Sequence, residues 1–287
     1  AMTLALAAGA IALPAAPAHA ADPITAADQS YFTYYHLDQA RAKGYTGKGV
    51  TIALIDGEVD TTVPELAGAT IIDKSPCTVT SSPFSKTHGT AIASLLVSKT
   101  YGVAPDATLL TYRTRFEDEG EDAAAGCAVR NGNGIEENNS LINRAISDGA
   151  QIISISSSDK DFDEATKWTI ARANARGVIV VTAMGNTAKD ETDTGLAKWS
   201  GVVGVGAIDT TGNVAPYSSS GQGTTTAAVG GPIIVRNYET GNKATTDGTS
   251  YSTPLIAGFL ALAKQKWPNA TNNQLLQLLT KTALNNE

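Results

Sequence analysis

From residue 50 onward, short apolar runs alternate with stretches of helical spacing. Val50–Ile55 (VTIALI) is a continuous run rich in β-branched residues, and Thr90–Val97 (TAIASLLV) follows with helical spacing after Gly89. Ala107–Arg113 reads as a strand and Leu141–Ile146 as part of a helix ending at Gly149. Gln151–Ile155 is a strand, Ala165–Ala175 a helix stopped by Gly177, and Val178–Thr182 and Val202–Val205 are two more strands. Tyr251–Lys266 and Asn272–Leu284 close the chain as helices. Strands that are apolar on both faces and separated by helices predict an α/β fold. Its sheet is mostly parallel, with helices on both faces. The ligand site of such a sheet lies beyond the carboxyl ends of its strands. Glu117–Asp122 (EDEGED) reads as a solvated acidic loop.

The first twenty residues break this pattern. They carry no charge, are rich in Ala and Leu, and end in Ala18-His19-Ala20. An apolar stretch before an A-x-A site reads as a secretory signal peptide, although a basic segment ahead of it is missing. Pro14 and Pro17 interrupt it, and no later run approaches the ~20 apolar residues of a membrane helix. The expected organisation is a signal peptide over 1–20, an N-terminal extension over 21–47 and one domain over 48–287. The extension is shorter than the roughly 40 residues below which a lone core rarely folds, so it is expected to wrap the domain. The mature chain is expected outside the cell, as a monomer with no stable membrane insertion. Secretion changes the reading of Cys77 and Cys127, the only two cysteines. Both flanks look loop-like, and a bridge between them is favoured in an oxidising compartment. It would close a loop of about 50 residues, stabilising by roughly 4 kcal/mol in the chain-entropy model.

Composition narrows the function classes. With 42% apolar and 17% charged residues, the 287-residue chain can bury a sizeable core, which excludes a disordered protein. The formal charge is −7, and no cluster of Lys and Arg is available to neutralise phosphates, so no nucleic-acid partner is expected. Two cysteines and three histidines leave little material for a metal or iron–sulfur site, and no cofactor is implied.

Four residues carry candidate chemistry. Asp56 directly follows the first strand, where a buried carboxylate needs a partner; Asp-Gly is also a common turn. His88 is expected at the start of the Thr90–Val97 helix, on the same edge. Ser250 precedes a helix whose first turn is expected to hold Pro254. At a helix N-terminus, free N–H groups favour developing negative charge, though a Ser there is also an ordinary cap. Asn186 follows Gly185 after a strand, either as a turn or as an amide donor over that edge.

The order Asp, His, Asn, Ser brings a resemblance with it. The strings Ala53–Asp56 (ALID), Thr87–Ser94 (THGTAIAS), Tyr101–Pro105 (YGVAP), Thr182–Asn186 (TAMGN) and Asp247–Gly258 (DGTSYSTPLIAG) are similar to those of the subtilisin-like serine proteases, the subtilases. The similarity runs from about Thr46 to Leu284. It implies a three-layer fold around a seven-stranded, mostly parallel sheet, and an endopeptidase acting on polypeptides. It further implies Ser250 as nucleophile, His88 as general base, Asp56 as the acid that orients it and Asn186 as oxyanion donor. By position, Ser156, Ser157 and Ser158 on one side and Gly132 and Gly134 on the other would pair with an extended substrate. Ala183 and Gly185 would wall the pocket for the residue before the scissile bond. No metal ligand is implied, because the segment from His88 to Pro105 is too short for the calcium-site loop found in many relatives.

Departures from the family pattern leave room for a rival. Asp56 is followed by Gly57-Glu58 where Ser or Thr and then Gly are usual, so Glu58 either adds negative potential near His88 or points to solvent. Tyr251 and Ser252 replace Met and Ala, and Ser156–Ser158 replaces Ser-Leu-Gly. The rival is a binding protein of the same fold with weak or no turnover. An esterase is disfavoured because Gly248–Ser252 lacks the second glycine of a nucleophile elbow. A dinucleotide enzyme is disfavoured because Gly204-Val205-Gly206 lacks the third glycine.

Overall fold

A computed structural model of the chain describes residues 22–76, 81–114, 138–156, 164–190 and 195–282. Two short helices, α1 (Ser30–Tyr34) and α2 (Leu37–Ala42), precede β1 (Thr51–Asp56), β2 (Thr70–Asp73), α3 (Pro83–Val97) and β3 (Thr108–Arg113). Then come α4 (Asn138–Ser147), β4 (Ile152–Ile155), α5 (Glu164–Ala175), β5 (Ile179–Ala183), β6 (Val202–Ile208) and β7 (Thr224–Val229). A hairpin of β8 (Ile233–Arg236) and β9 (Lys243–Thr246) leads into α6 (Thr249–Lys266) and α7 (Asn272–Thr282).

Seven strands form one sheet in the order β2-β3-β1-β4-β5-β6-β7, and every pairing in it is parallel. Successive side chains of a strand point to opposite faces, and both faces are filled. Ile52 and Leu54 join a core with Leu95, Leu96, Leu255 and Leu260 of α3 and α6. Ala53 and Ile55 join a second core with Leu141, Ile142 and Ile170 of α4 and α5. This two-sided burial is why the strands read as unbroken apolar runs rather than alternating ones. The same parity turns Asp56, two residues beyond Leu54, toward the face that α3 and α6 cover. Strand order reverses between β1 and β4, which makes the carboxyl end of that pair the switch point where such sheets bind ligands.

The expected elements are present, with two corrections that matter for the site. Helix α3 starts at Pro83, not near Thr90, so His88 lies in its second turn rather than at its start. Ser82 caps the helix by accepting the Ser85 N–H at 3.0 Å, and Pro83 occupies the first turn. Helix α6 begins at Thr249, so Pro254 falls in its second turn.

Residues 22–41 are stitched across the α3 side of the domain. Ile24, Tyr31 and Leu37 are buried in its core. The Gln29 carboxamide acts like a strand edge toward β8, donating to the Ile234 carbonyl at 2.8 Å and accepting its N–H at 3.2 Å. Glu65, almost wholly buried, accepts the Ile24 N–H and pairs with Arg236. Tyr35 accepts the Val229 N–H at 2.9 Å. Among the described residues no helix is long and apolar enough to cross a membrane.

Candidate active site

Asp56 is the last residue of β1 and is 1% exposed. Its Oδ1 accepts the Gly57 N–H at 2.7 Å and lies 2.7 Å from His88 Nδ1. That approach requires β1 and α3 to touch backbone to backbone. A Cβ on Gly89 would lie 2.5 Å from the carbonyl oxygens of Gly57 and Glu58, and one on Gly57 would clash with that of Ser85. Only glycine fits at these two contacts. His88 is 6% exposed, and its ring centroid lies 5.6 Å from that of Tyr251 and 6.2 Å from that of Phe84. Burial pushes the Tyr251 hydroxyl up to about 12, so it stays neutral beside the imidazole.

Ser250 is the second residue of α6, so its N–H has no acceptor within the helix. Gly248, which caps α6 at φ 150°, turns the chain into the helix in a conformation open to glycine. Four residues on, Pro254 has no N–H to give the Ser250 carbonyl. Ser156, the residue after β4, fills that gap: its hydroxyl donates to the Ser250 carbonyl at 3.0 Å. In return the Ser250 hydroxyl donates to the Ser156 carbonyl at 3.0 Å. The pair ties α6 to the carboxyl end of β4. A hydroxyl has one proton, so in this arrangement it is directed to Ser156 and not to His88.

Asn186 stands three residues beyond β5 and is exposed. Its Oδ1 accepts the Thr249 N–H at 2.8 Å and the Thr249 hydroxyl at 3.0 Å. Those bonds fix which way the carboxamide faces and leave its NH2 beside Gly248, where a Cβ would lie 3.2 Å from Nδ2. Thr249 is fully buried and also accepts the Gly185 N–H at 3.0 Å. The sequence reading missed Thr249. Its only signal was a hydroxyl residue directly before the candidate nucleophile. Ala183 and Gly185 are buried at the end of β5, on the side of Asn186. Ser157, Ser158, Gly132, Gly134, Cys77 and Cys127 lie outside the described residues.

Glu58 neither faces open solvent alone nor stands as an uncompensated charge. It accepts from the Ser81 hydroxyl and pairs with Lys86 at 3.5 Å and Arg113 at 3.9 Å. Two residues on, the Asp60 carboxyl sits at about 2. Burial opposes that shift, and it is outweighed by hydrogen bonds from Thr62, Tyr238 and Lys86. Among the described residues no group of three His, Cys, Asp or Glu is placed to hold a metal ion.

A buried Asp–His pair, a serine at a helix N-terminus and a pinned carboxamide thus meet at one strand edge. The chain as a whole is similar to known proteins. Residues 47–287 match the subtilase family. The chain is 31% identical over 260 residues to a thermostable alkaline protease of Halalkalibacterium halodurans, covering 88% of this chain and 66% of that one. It is 29% identical over 267 residues to subtilisin E of Bacillus subtilis, covering 87% and 65%. The chain therefore spans about two thirds of the length of these relatives. Subtilisin BL of Lederbergia lenta is 30% identical over 252 residues, covering 85% and 87%. Among solved structures, a mutant of the protease domain of PatA superposes with a TM-score of 0.69 at 25% identity, covering 83% and 88%. A cold-adapted subtilisin-like serine proteinase gives 0.65 at 24% identity, covering 84% of each chain, a likeness of fold. By its fold, by its motifs and by a family match that spans most of its length, the chain belongs to the subtilase family.

Proposed function

We propose that the chain is a secreted serine endopeptidase, with Ser250 as nucleophile, His88 as general base, Asp56 as its orienting acid and Asn186 as oxyanion donor. The observation that carries this reading is the 2.7 Å contact between buried Asp56 Oδ1 and His88 Nδ1. With Nδ1–H given to Asp56, Nε2 is left with its lone pair and can take a proton. Ser250 turns its hydroxyl from the Ser156 carbonyl to Nε2, and Oγ attacks the peptide carbonyl carbon as His88 takes the proton. The oxyanion receives hydrogen bonds from the Ser250 N–H and Asn186 Nδ2. Collapse expels the amine, which leaves with the proton from His88, and an acyl-enzyme remains. Water then gives a proton to His88 as its oxygen adds to the acyl carbon, and collapse breaks the bond to Ser250 Oγ, which regains the proton from His88 as the acid product leaves.

The substrate is an extended polypeptide, paired with Ser156–Ser158 on one side and the Gly132–Ile135 stretch on the other. The wall of Ala183 and Gly185 carries no charge, so an uncharged residue is favoured before the scissile bond. A chromogenic peptide panel with Arg, Lys, Asp or Glu as its best residue there would refute that pocket. Secretion through the 1–20 leader and a Cys77–Cys127 bridge complete the proposal.

A second reading has one observation in its favour: the Ser250 hydroxyl is bonded to Ser156. A binding protein without turnover could keep it there. A fluorophosphonate probe separates the two. Stoichiometric labelling of the unmodified chain, lost in Ser250→Ala without loss of fold, supports the protease. Absence of labelling in the unmodified chain supports the binding protein.

A further inference from the structure

Asp56 and Ser85 hold two halves of a hydrogen bond. Asp56 Oδ1 is fully used by Gly57 and His88, whereas Oδ2 is buried with no partner. Ser85 is wholly buried and its hydroxyl likewise has no partner, although its N–H is taken by the Ser82 cap. A buried carboxylate oxygen and a buried hydroxyl are each costly to leave unsatisfied. The two residues meet at Gly57, which has no side chain to offer either of them. A Cβ on Gly57 would lie 2.7 Å from Ser85 Oγ, so Ser85 packs directly on the residue that follows Asp56. Ser85 also lies three residues before His88 on α3, on the same helix face.

Among the described residues, the other buried donors without partners are placed elsewhere. Ser154 pairs with Leu54, two residues down the strand and about 6.6 Å away at the usual rise. Arg41 reaches residues 99–102, and Trp199 packs on the α4–α5 core.

We infer that Ser85 is a positioning residue for Asp56: its hydroxyl turns onto Oδ2 and donates the missing hydrogen bond. Oδ1 aims at His88 Nδ1 only while the plane of the carboxylate is fixed. With one oxygen bonded the plane can swing, and with both bonded it is locked. Ser85 acts on the reaction only through Asp56. The inference rests on the role given to Asp56 above, and that role is tested separately by labelling of the unmodified chain.

A double-mutant cycle decides it, read as the rate of fluorophosphonate labelling together with kcat and KM. Ser85→Ala is expected to lower the labelling rate and kcat about tenfold, the scale of one hydrogen bond to a charged group, with KM unchanged. In an Asp56→Asn background, Ser85→Ala is expected to slow labelling no further. Full-rate labelling by Ser85→Ala, or equal slowing in both backgrounds, overturns the inference. Were Ser85 idle, exchanging its unpaired hydroxyl for a methyl would leave the rate unchanged and the melting temperature equal or higher. Should the variants not fold or the unmodified chain not label, a high-resolution structure of the unmodified chain gives the answer. It is expected to place Ser85 Oγ about 2.5–3.0 Å from Asp56 Oδ2, and a separation beyond about 3.5 Å overturns the inference.

Discussion

On the proposed function, Asn186 donates to the oxyanion through Nδ2 while its own oxygen is held elsewhere. Thr249 does the holding twice, through its N–H and through its hydroxyl. The two residues therefore carry different predictions. Asn186→Ala removes a hydrogen bond to developing charge, worth about 1.5–3 kcal/mol, so kcat should fall roughly 10- to 150-fold with KM little changed. Thr249→Val keeps the N–H bond and loses only the hydroxyl, so kcat should fall about tenfold, while Thr249→Ser stays near the unmodified rate. Steady-state kinetics on one peptide substrate checks all three. An unchanged kcat in Asn186→Ala would move the donor to another residue. That Asp56, His88 and Asn186 lie at the carboxyl edge of the sheet was legible because each motif is local in sequence. Thr249 and Ser85 were not, because their contacts cross between β5 and α6, or between β1 and α3, and no spacing along the chain encodes them.

Helix α3 shows how an element can be legible in kind and wrong in extent. The spacing of Thr90–Val97 gives a helix, yet seven further residues precede it. Ser82-Pro83 was a legible cap and first turn, masked by the polar run Ser85–Thr87. Strands β2, β7 and β9 escaped notice for a related reason: Thr70–Asp73, Thr224–Val229 and Lys243–Thr246 are largely polar or half-exposed, and the neighbours they pair with make them strands. Where α3 meets β1, Gly89→Ala sets two effects against each other. Alanine favours a helix by about 1 kcal/mol, but its Cβ would lie 2.5 Å from two carbonyl oxygens. Overpacking of about 1–3 kcal/mol wins. The variant should melt earlier and label more slowly, as thermal melting and probe kinetics would show.

The strand β8 and the first described residues meet at Glu65 and Arg236. Burial alone would raise the Glu65 carboxyl, but hydrogen bonds from Arg236 and the Ile24 N–H outweigh it and hold the group below its usual value of 4.5. A carboxyl depressed in the folded state stabilises fully above its unfolded value and loses that contribution as pH falls through the folded one. Melting temperature should therefore decline from about pH 4.5 downward, and Glu65→Gln should flatten part of that decline. Arg236→Met, which leaves a buried charge alone, should cost about 3–5 kcal/mol at neutral pH. Thermal melts of the three chains from pH 7 to 3 test both.

For the molecule as a whole, the alternation of apolar runs and helices was enough to give a mostly parallel sheet with a site at its carboxyl edge. The strand order was not legible, since register between distant strands is set by three-dimensional packing. Nor did the sequence show how deeply residues 22–41 enter the domain, because their apolar positions are too scattered to form a periodic element. A chain beginning at Gly47, where the family match starts, would lack Ile24, Tyr31 and Leu37. It should fail to give a cooperative melt or to label with the probe. A cooperative, fully labelling truncation would reduce the segment to an ornament.

That stitching also sets an order of events in time. Gln29 is made early, yet the Ile234 backbone it grips comes 205 positions later. Contacts of such separation form late and slowly. Ser250 follows the hairpin by only a few residues, so it emerges together with the last pieces that the N-terminal segment needs. A half-made chain thus has neither a finished shell nor Ser250. On the proposed function, the cell that synthesises it is spared the cutting group until the chain is almost complete.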